Sequence, residues 1–206
     1  VLFRGLSTSV VSKGIGFIYQ IITLPLLLSY MGAESFGLLS IFMTLVGWVY
    51  LMSGGISPYI TRVIAIQTSS NKINKVISCS RTILVILSSI ISLIFITCLI
   101  FSEIVAKDIL SATLIFILSI FIVNYSVADS VRQGNHQQHI NNVIHMSAQI
   151  VTIALIFIFI TYNILIINKV FTIATAIYLP LFTFKFLNFF ILKSNYFNQD
   201  LFLPYS

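Results

Sequence analysis

Residues 31–67 read MGAESFGLLSIFMTLVGWVYLMSGGISPYITRVIAIQ, and this stretch decides the fold. After a short turn at residues 31–34, an apolar segment runs from Phe36 to Gln67. As a single helix this segment is about 48 Å long, whereas the hydrocarbon core of a bilayer is only about 30 Å thick. It must therefore tilt, bend or extend past the membrane. The sequence Gly-Gly-x-x-Pro at residues 54–58 provides a place for a bend.

The composition predicts an integral membrane protein. Hydrophobic residues make up 58% of the chain and charged residues 8%, and the mean hydropathy is +1.06. A soluble domain carries about 25% charged residues, so a soluble fold would lack the charge to cover its surface. The apolar residues come in long blocks without alternation, which excludes a β-barrel pattern. The net charge of +6 comes from cations at the predicted helix ends, which indicates membrane topology and not nucleic-acid binding.

Apolar segments recur to the end of the chain. Six can be marked, each near the roughly 20 residues that a spanning helix needs: 6–30, 36–67, 82–101, 109–131, 143–162 and 171–192. The connections between them are short and polar, which indicates neighbouring antiparallel helices. We therefore predict an all-α fold, a polytopic membrane bundle of about six helices.

The cations predict the orientation of this bundle. Six spans place both termini on one side, and most cations fall on that side: Arg4, Lys72, Lys75, Arg81, Arg132 and Lys193. The other side carries Glu34, the segment 103–108 and Lys169. Because cytoplasmic loops are enriched in Lys and Arg, we predict that both termini are cytoplasmic.

The first two spans carry polar or small residues at steps of three and four, which places them on one face of each helix. A polar face in a membrane contacts protein or water, so two interpretations stay open: close helix packing, or the wall of a cavity. The candidate cavity-lining residues are Ser12, Gly16, Gln20, Thr44, Ser57 and Thr61.

Three cations lie within the predicted spans, namely Lys13, Arg62 and Lys185. Each has a long side chain that can extend to the head groups. Alternatively, the three face a cavity and bind an anionic substrate such as phosphate or pyrophosphate.

The only acid within a predicted span is Asp129, which makes it the one candidate for proton or sodium coupling. Asp129 and Arg132 are three residues apart on one helix face, so a simple pair at the end of the helix is the competing interpretation.

Enzyme signatures are absent from the sequence. Ser12-Lys13-Gly14 lacks the order of a phosphate-binding P-loop, and no Gly-x-Ser-x-Gly elbow occurs. His136, His139 and His145 have no Cys or acidic residue close by in sequence, so we interpret them as a polar turn and not as a metal site. We predict a protein that is not an enzyme and that has no cofactor or metal.

Several short motifs together carry a family resemblance. They are STSVVSKGIGF at residues 7–17, LPLLL at 24–28, YMGAESFGL at 30–38, GGISP at 54–58, Thr61-Arg62 and RQGNH at 132–136. They resemble the bacterial O-antigen repeat-unit (Wzx-type) flippases, polysaccharide biosynthesis proteins of the multidrug/oligosaccharidyl-lipid/polysaccharide exporter superfamily.

The resemblance implies a transporter of two pseudo-symmetric helix bundles, of which this chain would be the N-terminal one, with the second, C-terminal bundle missing from the sequence. It implies movement of undecaprenyl-pyrophosphate-linked oligosaccharide across the bacterial cytoplasmic (inner) membrane, for the O-antigen of lipopolysaccharide or for capsule. By position, Lys13 and Arg62 match the basic residues that bind the pyrophosphate, and Lys185 matches them less closely.

The implied partners are the lipid-linked oligosaccharide, membrane lipids and a polysaccharide polymerase or other assembly protein, with no nucleic acid. Two alternatives stay open: a drug or cation exporter of the same superfamily, and a membrane assembly subunit that transports nothing.

Overall fold

The computed structural model describes residues 2–53, 55–66, 70–100 and 108–196. Over these ranges the chain forms eight helices: α1 (Leu2–Met31), α2 (Ala33–Ser53), α3 (Ile56–Ile66), α4 (Ser70–Ile100), α5 (Ile109–Tyr125), α6 (Val127–Gly134), α7 (Gln138–Thr161) and α8 (Lys169–Tyr196). They make six stretches long and apolar enough to cross a membrane, with α2–α3 and α5–α6 each forming one stretch. The predicted all-α bundle of about six membrane helices is confirmed, and the described ranges contain no strand.

The second span is broken at a turn that contains Gly55, shortly before Pro58. α2 ends at Ser53, Gly55 lies in a turn, and α3 begins at Ile56. Pro58 is the third residue of α3, where a backbone N–H has no partner within the helix in any case, so proline is tolerated. Two helices of 21 and 11 residues thus replace one overlong helix.

Several helices extend beyond the apolar segments that predict them. α4 begins at Ser70 instead of near residue 82, so Lys75 and Arg81 are helical and not part of a loop. α7 begins at Gln138 instead of near residue 143. The polar residues in these extensions include no proline, and a helix can continue past the hydrocarbon core because polar side chains suit its ends. Hydropathy therefore marks the core of each span and underestimates the helix.

A single glycine forms the tight turn between α1 and α2. Gly32 has φ +80°, a conformation that costs an L-residue energy because of its Cβ. The Gly32 N–H donates to Leu28 O at 3.0 Å, and the Phe36 N–H donates to Gly32 O at 3.1 Å. The two helices are thereby joined with no loop between them.

α5–α6 and α8 form the centre of the bundle. In each of these two spans, 50% of the most apolar stretch is buried inside the protein, against 11–28% in the other four spans. Aromatic rings pack where α5 meets α8: the Tyr125 ring lies 5.3 Å from the rings of both Phe186 and Phe189. Phe116 on α5 and Ile173 on α8 are fully buried. Side chains that extend inward from these helices are therefore held on a rigid support.

α6 is fixed from its other side by α3. A Cβ added to Gly134 would lie 2.8 Å from the Ile64 Cβ and 2.9 Å from the Thr61 carbonyl oxygen. The Thr61 hydroxyl also donates to Ser130 O at 3.3 Å. Only glycine allows the two helices to approach so closely, and this contact sets the position of α6 and of the residues it carries.

Candidate functional site in the membrane bundle

A cavity of about 570 Å³ lies inside the bundle, among α1, α2, α5, α6, α7 and α8. Sites for small molecules have volumes of about 300–1,000 Å³. The wall combines apolar side chains with a set of polar ones: Tyr19, Tyr50, Ser126, Asp129, His145, Gln149, Thr152, Tyr178 and Lys185. Polar groups that converge on a cavity between membrane helices mark a functional site, because lipid does not solvate them.

Three ionisable residues mark one end of this cavity. Asp129 is the last lining residue along α6, Lys185 is the last along α8, and His145 is the first along the antiparallel α7. Asp129 lies about 8 Å from the C-terminal end of α6, and Lys185 about 10 Å from Leu192. The charged end of the cavity is therefore near the side of the membrane on which α6 and α8 end.

Asp129 and Lys185 form an ion pair across two helices. The Lys185 ammonium donates to Asp129 Oδ2. The Lys185 side chain is 6% exposed and that of Asp129 is 22% exposed, so the lysine is the more deeply buried partner. The lysine contacts the carboxylate instead of extending to the head groups, and its role toward a substrate stays a prediction.

Asn188 and Arg132 extend the pair into a network. The Asn188 amide donates from Nδ2 to Asp129 Oδ1 at 2.9 Å. On its other side, Arg132 Nε donates to Asn188 Oδ1 at 2.6 Å. Because Arg132 has no acceptor to offer, it fixes the amide so that the oxygen faces the guanidinium and the NH₂ group faces the carboxylate. Both carboxylate oxygens of Asp129 therefore receive a donor.

The backbone of α6 is held to α7 beside this network. Asn141 Nδ2 donates to the Asp129 carbonyl oxygen at 2.8 Å, and the Gln137 side chain accepts from Arg132 at 3.4 Å. Arg132 and Asn188 are themselves buried, with 6% and 1% of their surface exposed. Four residues on α6 and α8, one on α7 and Gln137 just before α7 thus form one polar network.

Helical spacing explains how the sequence assembles this site. Along α8, the positions Tyr178, Leu181, Lys185 and Asn188 follow steps of three, four and three, so they share one face. Asp129 and Arg132 share a face of α6 for the same reason. The sequence paired these two residues with each other along one helix, whereas the structure pairs Asp129 with Lys185 and joins it to Arg132 through Asn188.

The structure places the other two sequence-predicted cations elsewhere. Lys13 on α1 and Arg62 on α3 are both exposed, and neither lines the cavity. Of the three predicted pyrophosphate ligands, the cavity contains only Lys185. The role of all three toward a substrate stays a prediction.

Of the small and polar residues that form stripes on the first two spans, Gly47 lies in the wall of this cavity. The six residues predicted to line a cavity are not in the wall of this one, and their role in a cavity stays a prediction: Ser12, Gly16, Gln20, Thr44, Ser57 and Thr61. The wall residues that α1 and α2 contribute are Tyr19, Met43, Val46, Gly47 and Tyr50.

Packing contacts account for two of these stripe residues. Thr61 bonds Ser57 O at 3.0 Å and contacts α6, and a Cβ at Gly16 would lie 3.4 Å from Gln149 Nε2. The packing interpretation that the sequence left open is thus seen at Thr61 and Gly16.

His145 is the residue that sequence reasoning placed wrongly. Instead of a polar turn, it occupies the second turn of α7 and faces the cavity. His139 is also helical, and His136 lies in the connection before α7 with φ 60°. The described residues contain no group of three or more metal-ligating side chains. The spacing of His145, Gln149 and Thr152 along one helix face was the available signal.

The architecture defines the class of protein: a multi-pass membrane helix bundle with a cavity whose apolar wall contains several polar side chains, which fits a transporter better than an enzyme. The sequence model of the family described as polysaccharide biosynthesis protein matches residues 2–203. The chain belongs to this family, which confirms the resemblance noted from the motifs. No curated protein and no solved structure matches the chain.

Proposed function

We propose that this chain acts in the transport of lipid-linked oligosaccharide repeat units across a bacterial cytoplasmic membrane. The observation that carries the proposal is the cavity with its buried ion pair, enclosed by membrane-spanning helices of a polysaccharide biosynthesis protein. A glycan cannot cross hydrocarbon unaided, because its hydroxyl groups would lose their hydrogen bonds. A polar cavity inside a bundle supplies replacement partners along the path.

The side chains of the cavity suit a sugar. Three tyrosines on three helices, Tyr19, Tyr50 and Tyr178, present rings that can pack on the C–H face of a pyranose. Gln149 Oε1 is buried and has no hydrogen-bond partner among the described residues. A buried acceptor without a donor is costly, and a sugar hydroxyl would satisfy it.

The charge at the end of the cavity favours an anionic substrate. The polar cluster at this end contains one carboxylate, Asp129, and two cations, Lys185 and Arg132, so its net charge is positive and does not suit an organic cation. A diphosphate that links a glycan to a lipid is an anion at the boundary of a polar and an apolar group. The cavity contains a cation, Lys185, at one end for the diphosphate, and tyrosines further along the wall for the glycan.

Gly47 provides a direct test of the cavity. It lies in the cavity wall, and a Cβ placed there has no atom within 4 Å, so a large side chain would enter the cavity without a backbone clash. We expect Gly47→Phe in the intact protein to abolish surface polysaccharide at an unchanged protein level. Gly37→Phe is the matched control, because Gly37 is on the same helix, is equally uncrowded and lies outside the cavity wall. Normal polysaccharide with Gly47→Phe would overturn the proposal.

The proposed orientation has both termini in the cytoplasm, so the charged end of the cavity faces the inner leaflet, where lipid-linked precursors are made. Asn135 and Asn163 are exposed in the connections on opposite ends of α7. In a variant without native cysteines, we expect an impermeant thiol reagent applied from outside to label Asn163→Cys and not Asn135→Cys. The reverse pattern would contradict the orientation.

A further inference from the structure

The Asp129 carboxylate has the surroundings of a bound anion. A cationic donor, the Lys185 ammonium, approaches one oxygen, and a neutral donor, Asn188 Nδ2, approaches the other at 2.9 Å. Arg132 fixes the orientation of the Asn188 amide from behind. Donors held in place before a ligand arrives are the defining feature of a preorganised anion site.

We propose that Asp129 is an internal ligand that occupies the anion site of the cavity, and that the diphosphate of a lipid-linked substrate displaces it from Lys185 and Asn188. This inference rests on the proposed function, since it names the part of the substrate that the charged end of the cavity binds. Two diphosphate oxygens can accept from the same two donors as the two carboxylate oxygens, one from Lys185 and one from Asn188.

The exposed fractions show which partner an incoming group can reach. Lys185 and Asn188 are almost completely buried, whereas 22% of the Asp129 side chain is exposed toward the cavity. The donors are therefore the fixed part of the site, and the carboxylate is the part that an incoming group can reach. A side chain with two rotatable bonds leaves such a site without any backbone movement.

Displacement links anion binding to proton uptake. A displaced carboxylate beside a bound diphosphate raises the electrostatic energy of both, and protonation of Asp129 removes this repulsion. Binding should therefore strengthen as the pH falls, with about one proton taken up for each anion bound.

Other groups around Asp129 contribute to this linkage in different ways. The cations beside it are Arg132 on α6 and Lys185 on α8, and the tyrosines of the wall are Tyr19, Tyr50 and Tyr178. His145 on α7 is the one other group that can gain a proton, and His145→Gln separates its contribution.

The test is a binding titration on the purified intact protein with three probes: farnesyl diphosphate, inorganic diphosphate and farnesol. We expect Asp129→Asn to bind farnesyl diphosphate at least about tenfold more tightly than the native protein, the low end of the coupling between close buried charges. Lys185→Gln should weaken binding, and the Asp129→Asn, Lys185→Gln double variant should resemble Lys185→Gln. Farnesol binding should not respond to any of these changes, because it has no anionic group.

The probes also separate the two sources of the anion. Tighter binding of farnesyl diphosphate than of inorganic diphosphate supports a lipid-linked ligand, and equal binding of the two would overturn that part of the proposal. Unchanged or weaker binding of farnesyl diphosphate by Asp129→Asn would overturn the internal-ligand role. If that role is overturned but the native protein still supports normal surface polysaccharide, the proposed transport function is not affected.

A measurement on the native protein covers the case in which Asp129→Asn fails to fold. Calorimetry in two buffers of different ionisation enthalpy counts the protons taken up when farnesyl diphosphate binds. Uptake of about one proton that persists in His145→Gln supports the proposal. No uptake at a pH where Asp129 is ionised, or uptake that disappears with His145→Gln, would overturn it.

Discussion

The ion pair between Asp129 and Lys185 leads to an asymmetry that stability measurements can detect. Asp129→Asn keeps the shape of the side chain and an acceptor for Asn188, but it leaves the Lys185 ammonium buried without its counter-ion. Lys185→Met keeps the apolar stem and leaves the Asp129 carboxylate, which retains its bond from Asn188 and a route to water in the cavity. The first change should therefore be the more destabilising.

The structure supplies the scale of each effect. Removal of one partner of a fully buried ion pair destabilises a protein by about 3–5 kcal/mol. Lys185 is 6% exposed, so Asp129→Asn should lower the free energy of unfolding by about 3 kcal/mol. Asp129 is 22% exposed and keeps one donor, so Lys185→Met should lower it by about 1–2 kcal/mol.

The double variant isolates the interaction. With both charges removed, no unpaired ion remains, so the loss should be smaller than the sum of the two single losses by about 2 kcal/mol. The assay is reversible unfolding of the purified protein in detergent, with Lys13→Met as a control for the same substitution at an exposed lysine. Additive losses within about 0.5 kcal/mol, or a larger loss for Lys185→Met than for Asp129→Asn, would refute the reasoning.

Two glycines allow further predictions. Gly134→Ala should destabilise the protein by about 1–3 kcal/mol, because its Cβ would overlap Ile64, whereas Gly14→Ala in an open part of α1 should be neutral or slightly stabilising in the same unfolding assay. Gly32→Ala should cost about 1 kcal/mol through its φ of +80° alone, since no atom lies within 4 Å of the added Cβ. Gly37→Ala is the helical control, and equal stability of the Gly32 and Gly37 variants would contradict this assignment of strain.

Hydropathy and the positions of glycine and proline predicted most of the fold. Long apolar blocks predicted the number of spans, Gly54, Gly55 and Pro58 predicted the break in the second, and Gly32 marked the turn before it. The ends of the helices were harder to predict, because a polar segment such as the start of α4 can form either helix or loop. α4 begins earlier than predicted because the helix continues beyond the hydrocarbon core, and a hydropathy pattern shows only the part inside that core.

The site was only partly accessible from the sequence. The scarcity of charges in a membrane singled out Asp129 and Lys185, which are indeed the two residues that meet. The sequence did not show that they meet, because 56 positions separate them. It offered Arg132 as a partner for Asp129 and extension to the head groups for Lys185. The wall also contains Tyr19 and Tyr50, which the stripes of small and polar residues did not include, whereas the stripe residue Thr61 contacts α6.

The central claim, that the cavity receives a glycan linked to a lipid, is tested most directly by photo-crosslinking in living cells. A photo-reactive amino acid at position 178 lies in the cavity wall, and one at position 179 on the same helix lies on the outer surface, where Leu179 is 45% exposed. Mass spectrometry of the purified protein should find an adduct that contains lipid-linked sugar at position 178, and only membrane phospholipid at position 179. Absence of a sugar-containing adduct at position 178, or equal capture at both positions, would contradict the account.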